Sequence, residues 1–147
     1  MNVEYRAFHG PSDWGWVIKH NPILRTDNTN GIMAIDSDKN ETIGAVIFDN
    51  WTPNTVQAHI IATTSMLFKH GFLEEAFDYA FNISGRKYML GIIPSDNEKS
   101  VKLVKSIGFK EAYRLKDGWA DGIDIIVFEI SRDNCRFLPQ LKEVANG

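Results

Sequence analysis

The spacing of apolar residues switches three times between Val56 and Ile107, and that succession leaves few folds open to the chain. Val56 to Thr63 is an apolar, partly β-branched run that reads as a strand. From Phe72 the period lengthens: Phe72, Leu73, Ala76, Phe77, Ala80 and Phe81 fall on one face of a helix, with Glu74, Glu75 and Asp78 on the other. Ser84-Gly85-Arg86 closes that helix, and Tyr88 to Ile93 reads as a buried strand. Pro94-Ser95-Asp96-Asn97 then leads into a second helix through about Ile107, ended by Gly108. Strand, helix, strand in this order predicts a right-handed parallel crossover, with the helix start at the carboxyl end of the first strand.

The rest of the chain supplies more strands. Met1 to Phe8 alternates as a first strand, and His9-Gly10-Pro11 ends it before a short helix capped by Ser12 or Asp13, with Trp14, Trp16, Val17 and Ile18 on its buried side. Arg25 to Asn30 is polar and reads as an ordered turn or a mobile loop. Gly31 to Asp36 and Thr42 to Phe48 form a hairpin around Ser37-Asp38-Lys39-Asn40. Phe109 to Leu115 and Ile123 to Ser131 are two last strands around Lys116-Asp117-Gly118, the connection reaching Gly122. The expected architecture is α/β (α+β), a central mixed twisted sheet of six to seven strands flanked by helices.

At 147 residues the chain is the size of one domain. The expectation is a single domain over residues 1–147, with 132–147 as a C-terminal extension. A net charge of −3 gives no general pull toward phosphate backbones, so no nucleic-acid partner is expected. One cysteine, Cys135, precludes an intrachain disulfide and a Cys-rich zinc cluster. No basic-then-apolar leader opens the sequence, and no apolar run approaches the roughly 20 residues of a membrane span. These features predict a cytoplasmic protein with no membrane partner.

A helix start after a parallel strand is an anion site, because its unpaired N–H groups and dipole favour phosphate. Gly71 allows close approach there, and Lys69 and His70 stand beside it. A glycine where a strand enters a helix is also common in α/β proteins with no such role. The second helix carries the sharper pattern: Pro94-Ser95-Asp96-Asn97-Glu98-Lys99-Ser100, then Val101, Leu103 and Val104, then Ile107-Gly108-Phe109. Local chemistry explains Asp96 or Asn97 as a cap and Gly108 as a C-terminal glycine.

Together with the order of elements, that segment resembles the GNAT N-acetyltransferases. The resemblance implies an acyl-CoA cofactor, acetyl-CoA or a relative, whose pantetheine arm enters where the first parallel strand splays from the second. It assigns that cofactor to Ala62 and Thr63 at the strand end, to Lys69, His70, Gly71 and Phe72 at the phosphate loop, and to Asn97 and Ser100 at the second helix. Two departures stand out. Phe68-Lys69-His70-Gly71-Phe72-Leu73 keeps only the first glycine of the family's phosphate loop, and Val104 occupies the position where many members carry a tyrosine acid. The combination of His70-Gly71-Phe72, Asp96-Asn97, Gly108-Phe109-Lys110-Glu111 and Asn134-Cys135-Arg136-Phe137-Leu138 is similar to a group encoded by bacteriophages.

The implied reaction is direct attack of a primary amine on the acyl thioester, with a small molecule or peptide as acceptor. It needs alignment of the reactants and a base for the ammonium proton. His59 is the first candidate base, since an imidazole ordinarily titrates at about pH 6.5, although a satisfied, partly buried histidine fits the same position. Tyr113 or Tyr88 is a candidate to replace the absent acid, with Tyr113 paired to His59 as the catalytic set, and Asp49 and Glu129 are lesser candidates. Trp14, Trp16, Trp51 and Trp119 are candidates to line an acceptor pocket or to pack in the core. The four histidines lack metal-ligand spacing, so no metal is expected. A homodimer is a further expectation, and an inactive GNAT-like protein with a binding, sensing or virion-associated role is the alternative function.

Overall fold

The computed structural model describes residues 1–138. Seven strands form one sheet: β1 (Val3–Ala7), β2 (Asn30–Asp36), β3 (Glu41–Asp49), β4 (Thr55–Ala62), β5 (Tyr88–Pro94), β6 (Lys110–Ala120) and β7 (Ile123–Ser131). Their order is β1-β2-β3-β4-β5-β7-β6, and all neighbours are antiparallel except β4 and β5. The mixed sheet of the sequence reading is therefore present, and the one parallel pair joins the strands that flank the predicted crossover.

Period-2 alternation sends two sets of side chains to opposite faces. On one face Val46, Phe48, Val56, Met89, Ile126, Phe128 and Ile130 pack against helices α2 (Phe72–Phe77) and α3 (Glu98–Ile107). Phe72, Phe77 and Phe81 are fully or almost fully buried there, and each such burial contributes roughly 1.5–3 kcal/mol. On the other face Met33, Ala45 and Ile47 meet Trp14 and Val17 of α1 (Pro11–His20). That helix lies over the first half of the sheet, so Ile92, Tyr113 and Leu115 in the second half stay exposed.

Five local expectations change. Helix α1 starts at Pro11, whose missing N–H costs nothing in a first turn, and neither Ser12 nor Asp13 caps it. Asp13 turns instead to Arg6, with oxygen–nitrogen distances of 2.7 and 2.9 Å, and Ile18 faces solvent. The helix from Phe72 runs on to Ile83 as a π-helical segment, Asp78–Ile83, in which the Ser84 N–H reaches five residues back to the Tyr79 carbonyl. A 3-10 turn, Ser65–Lys69, separates β4 from α2, so the helix does not begin directly at the strand end. Finally, β6 passes through Lys116-Asp117-Gly118 as an irregularity and turns only at Asp121-Gly122, because the Asp124 carboxylate holds the Asp117 N–H at 3.0 Å. Arg25 to Asn30 is the ordered alternative: the Thr26 N–H donates to Thr29 Oγ1 at 2.9 Å, and the Thr29 N–H to the Thr26 carbonyl at 3.1 Å.

Residues 132–138 fold back on the core. Phe137 stacks on Phe77 with ring centres 5.9 Å apart, and Arg136 donates to the carbonyls of Ile107 and Ser106 at the end of α3. The remainder of the expected extension, 139–147, lies outside the described residues.

Candidate active site

Strands β4 and β5 pair only over Thr55–Gln57 and Tyr88–Leu90. Beyond that, β4 stays with β3 as far as Ala62, and β5 stays with β7 as far as Pro94. The two parallel strands therefore part, and a cavity of about 660 Å³ opens where they do. Gln57, Ala58, His59 and Ile60 line it from β4, and Gly91, Ile92, Ile93 and Pro94 from β5. Asn97, Ser100, Leu103 and Val104 of α3 close one side with Phe109, and residues 21–24 with Thr26 close another. That last wall is anchored by Arg25, whose guanidinium lies 4.8 Å from the centre of the Trp14 ring.

A polar cluster sits on the β3–β4 wall. His59 Nε2 is 3.1 Å from Asp49 Oδ2 and 3.3 Å from Oδ1, and Asn50 Nδ2 donates to Gln57 Oε1 at 2.6 Å. The register explains the first contact: His59 lies opposite Ile47, so Asp49, two residues on, is its diagonal neighbour on the same face. With Nε2 on the carboxylate, Nδ1 is the nitrogen left to exchange a proton.

Asn97 both caps α3 and faces the cavity. Its Oδ1 accepts the Ser100 N–H at 3.2 Å, which leaves the Nδ2 donors uncommitted by that cap. The two explanations weighed for this residue are thus compatible. Val104 is on the same wall, 7% exposed, and offers no acid there.

The loop before α2 is built by packing from a distance. A Cβ on Gly44 would collide with the Leu67 side chain, so glycine lets the Ser65–Lys69 turn seat on the sheet. The Tyr5 hydroxyl then donates to the His70 carbonyl at 2.6 Å. Burial, with the Glu75 and Glu74 carboxylates behind it, pushes that hydroxyl up to about 12. Gly71 has φ +84°, and a Cβ there would meet nothing within 4 Å, so the space in front of the helix start is open. Glu74 and Glu75 occupy the first turn of the same helix and oppose an anion at its start. Phe72 is fully buried, which leaves its backbone N–H, not its ring, for a ligand. Lys69, His70, Gly71, Ala62 and Thr63 are not among the cavity's lining residues, and Thr63 uses its hydroxyl on the Ile43 carbonyl at 2.9 Å.

Tyr113 is 59% exposed on β6 and does not line the cavity, and Tyr88 and Glu129 flank a separate small depression. Of the tryptophans only Trp119 lines the cavity; Trp14 is core, Trp16 stacks on His20, and Trp51 packs on Phe48 and Tyr79. Burial of Cys135 pushes its thiol up and keeps it protonated, the state of an inert cysteine. Among the described residues no group of three or more His, Cys, Asp or Glu comes together as a metal site, and no helix is long and apolar enough to cross a membrane.

Neither protein-family profiles nor curated proteins match the sequence. Solved structures do. A spermidine N-acetyltransferase from Vibrio cholerae in complex with CoA and spermine superposes with a TM-score of 0.74 at 16% identity, over 90% of this chain and 97% of that one. The chain has the GNAT fold. SpeG from the same organism, a spermidine/spermine N-acetyltransferase in complex with manganese ions, gives a TM-score of 0.73 at 16% identity over 88% and 92%. A dodecameric form of the V. cholerae spermidine enzyme gives 0.74 at 16% identity over 90% and 95%. In this GNAT fold, Asn50, Gln57 and the wall at residues 21–24 with Thr26 are cavity positions that no sequence motif singled out, and only the hairpin register could have placed Asp49 against His59.

Proposed function

We propose that the protein is an N-acyltransferase that moves an acetyl or related acyl group from acyl-CoA to a primary amine by direct attack. The observation that carries this is the parting of β4 from β5 with Asn97 on one side of the opening and the His59–Asp49 pair on the other. The opening suits a pantetheine arm: it has unpaired strand edges on both sides and offers the Asn97 Nδ2 donors to an amide carbonyl. Ser100 lines the same wall; Ala62, Thr63, Lys69, His70, Gly71 and the Phe72 N–H do not line the cavity but follow β4 along the chain to the open helix start, which this reading gives to the pyrophosphate. The CoA- and spermine-bound neighbour supports this class of cofactor and an amine acceptor.

When bound, acetyl-CoA supplies an acyl carbon activated as a thioester. His59 Nδ1 takes the proton from the incoming ammonium, directly or through one water, while Asp49 holds the ring by Nε2 and stabilises the imidazolium. No side-chain acid is assigned to the departing thiolate, and Tyr113, far out on β6, is given no part in this scheme. The test is release of free thiol from acetyl-CoA on addition of primary amines. Turnover that His59→Gln lowers about 100-fold supports the reading, and turnover unchanged in that variant removes His59 from it.

Val104 favours a second reading, a GNAT-fold protein that binds an acyl-CoA without efficient transfer and serves a binding, sensing or virion-associated role. Binding without thiol release from any amine distinguishes it. A homodimer is retained as a proposal, with the exposed Tyr113 and Leu115 on the uncovered face as its seat; a light-scattering mass of twice 16.7 kDa tests it.

A further inference from the structure

We infer that the acceptor is a small monoamine with an uncharged apolar or aromatic body, and that the cavity selects against polyamines and against acceptors bearing a carboxylate or phosphate. This rests on the acyl-transfer reading above and narrows its substrate.

Charge counting around the cavity carries the inference. Among the described residues Asp49 is the single carboxylate that lines the cavity, and it is already engaged by His59 Nε2. With a neutral imidazole the wall bears one negative charge, the match of one ammonium group. The neighbouring polar groups, Asn50 and Gln57, are neutral and bonded to each other. Asp27 and Asp96, on the segments that flank the opening, are not lining groups. A second or third ammonium would therefore lose water against the buried apolar wall of Ile93, Val104 and Phe109 without a counter-charge, which is unfavourable. Among the described residues no lysine or arginine lines the cavity either, so an anionic tail would be equally unpaired there.

The apolar walls supply the attraction for the rest of the molecule. Trp119 is 58% exposed and Ile92 38% exposed where they line the cavity, so an alkyl chain or ring can cover surface that is otherwise in water. The volume of about 660 Å³ has to hold a thioester arm as well as the acceptor, which limits the acceptor to a small molecule.

The experiment compares hexylamine, phenethylamine, 1,6-diaminohexane and spermidine by kcat/KM for thiol release, and separately by calorimetric binding to the protein with and without CoA. The two monoamines are expected to exceed the diamine and spermidine by about tenfold in both measurements. Equal or reversed order overturns the inference, as does failure of all four amines to bind at millimolar concentration. Ile92→Glu adds a second carboxylate to a partly exposed position and is expected to raise the diamine-to-hexylamine ratio about tenfold; an unchanged ratio in a folded variant also counts against it. Failure of acetyl-CoA itself to bind removes the acyl-transfer reading alone, and the order of amine binding in its absence still decides between one charge and several.

Discussion

His59 Nε2 and Asp49 Oδ2 lie 3.1 Å apart across the β3–β4 ladder, with Asp49 buried and both residues facing the cavity. A general base contributes roughly 10²–10⁴ in rate, and a carboxylate that orients it contributes part of that. His59→Gln is expected to lower kcat by about 100-fold, and Asp49→Asn by about tenfold. Thiol release at saturating acetyl-CoA measures both, and a circular dichroism spectrum matching the parent's separates a lost base from a lost fold.

Gly71 and Glu75 bracket the proposed phosphate position with opposite effects. At φ +84° any side chain is strained, so Gly71→Ala and Gly71→Glu share a backbone cost of about 1–2 kcal/mol and differ in charge. Calorimetry is expected to show CoA binding several-fold weaker in Gly71→Glu than in Gly71→Ala. Glu75→Gln removes a carboxylate from the first turn and is expected to tighten CoA about threefold, an effect that salt reduces.

The strand order and the cavity were legible to different degrees. Val56–Thr63, Phe72–Phe81, Tyr88–Ile93 and the Asn97 helix declared themselves by period, because each buries one regular face. The Tyr5–His70 contact did not, since it joins residues 65 positions apart and no local pattern encodes such a distance. The cavity wall at 21–26 was likewise hidden: its residues are loop residues, positioned by Arg25 over Trp14 and not by periodicity. His59 was visible as a strand histidine, while its partnership with Asp49 needed the register of two strands. The π segment and the long β6 were missed because single hydrogen bonds, at Tyr79 and Asp124, decide them.

Val104 has its side chain on the cavity wall, and the resemblance to GNAT enzymes implies a tyrosine acid at that sequence position. Val104→Tyr is expected to raise kcat by about tenfold and to lower stability by about 1–3 kcal/mol through overpacking. Steady-state kinetics with saturating acetyl-CoA checks the first, and denaturant titration the second. No gain in a folded variant means that proton delivery to the thiolate does not limit turnover.

The Arg6 guanidinium, hydrogen-bonded to Asp13, holds that carboxyl below its ordinary value. A depressed carboxyl contributes stability that is present above its unfolded value, about 3.9, and is lost as pH falls through the lower folded value. Denaturant midpoints are therefore expected to fall as the pH drops below about 4. Asp13→Asn is expected to be less stable than the parent at pH 7 by about 1–3 kcal/mol and to show a shallower loss in that window.

The account stands on acyl-CoA binding where β4 parts from β5, and the melting temperature with and without acetyl-CoA tests that most directly. A ligand at 100 times its dissociation constant stabilises by about 2.7 kcal/mol, so a rise of several degrees is expected, smaller in Asn97→Ala. No rise at millimolar acetyl-CoA, or a full rise retained in Asn97→Ala, contradicts it.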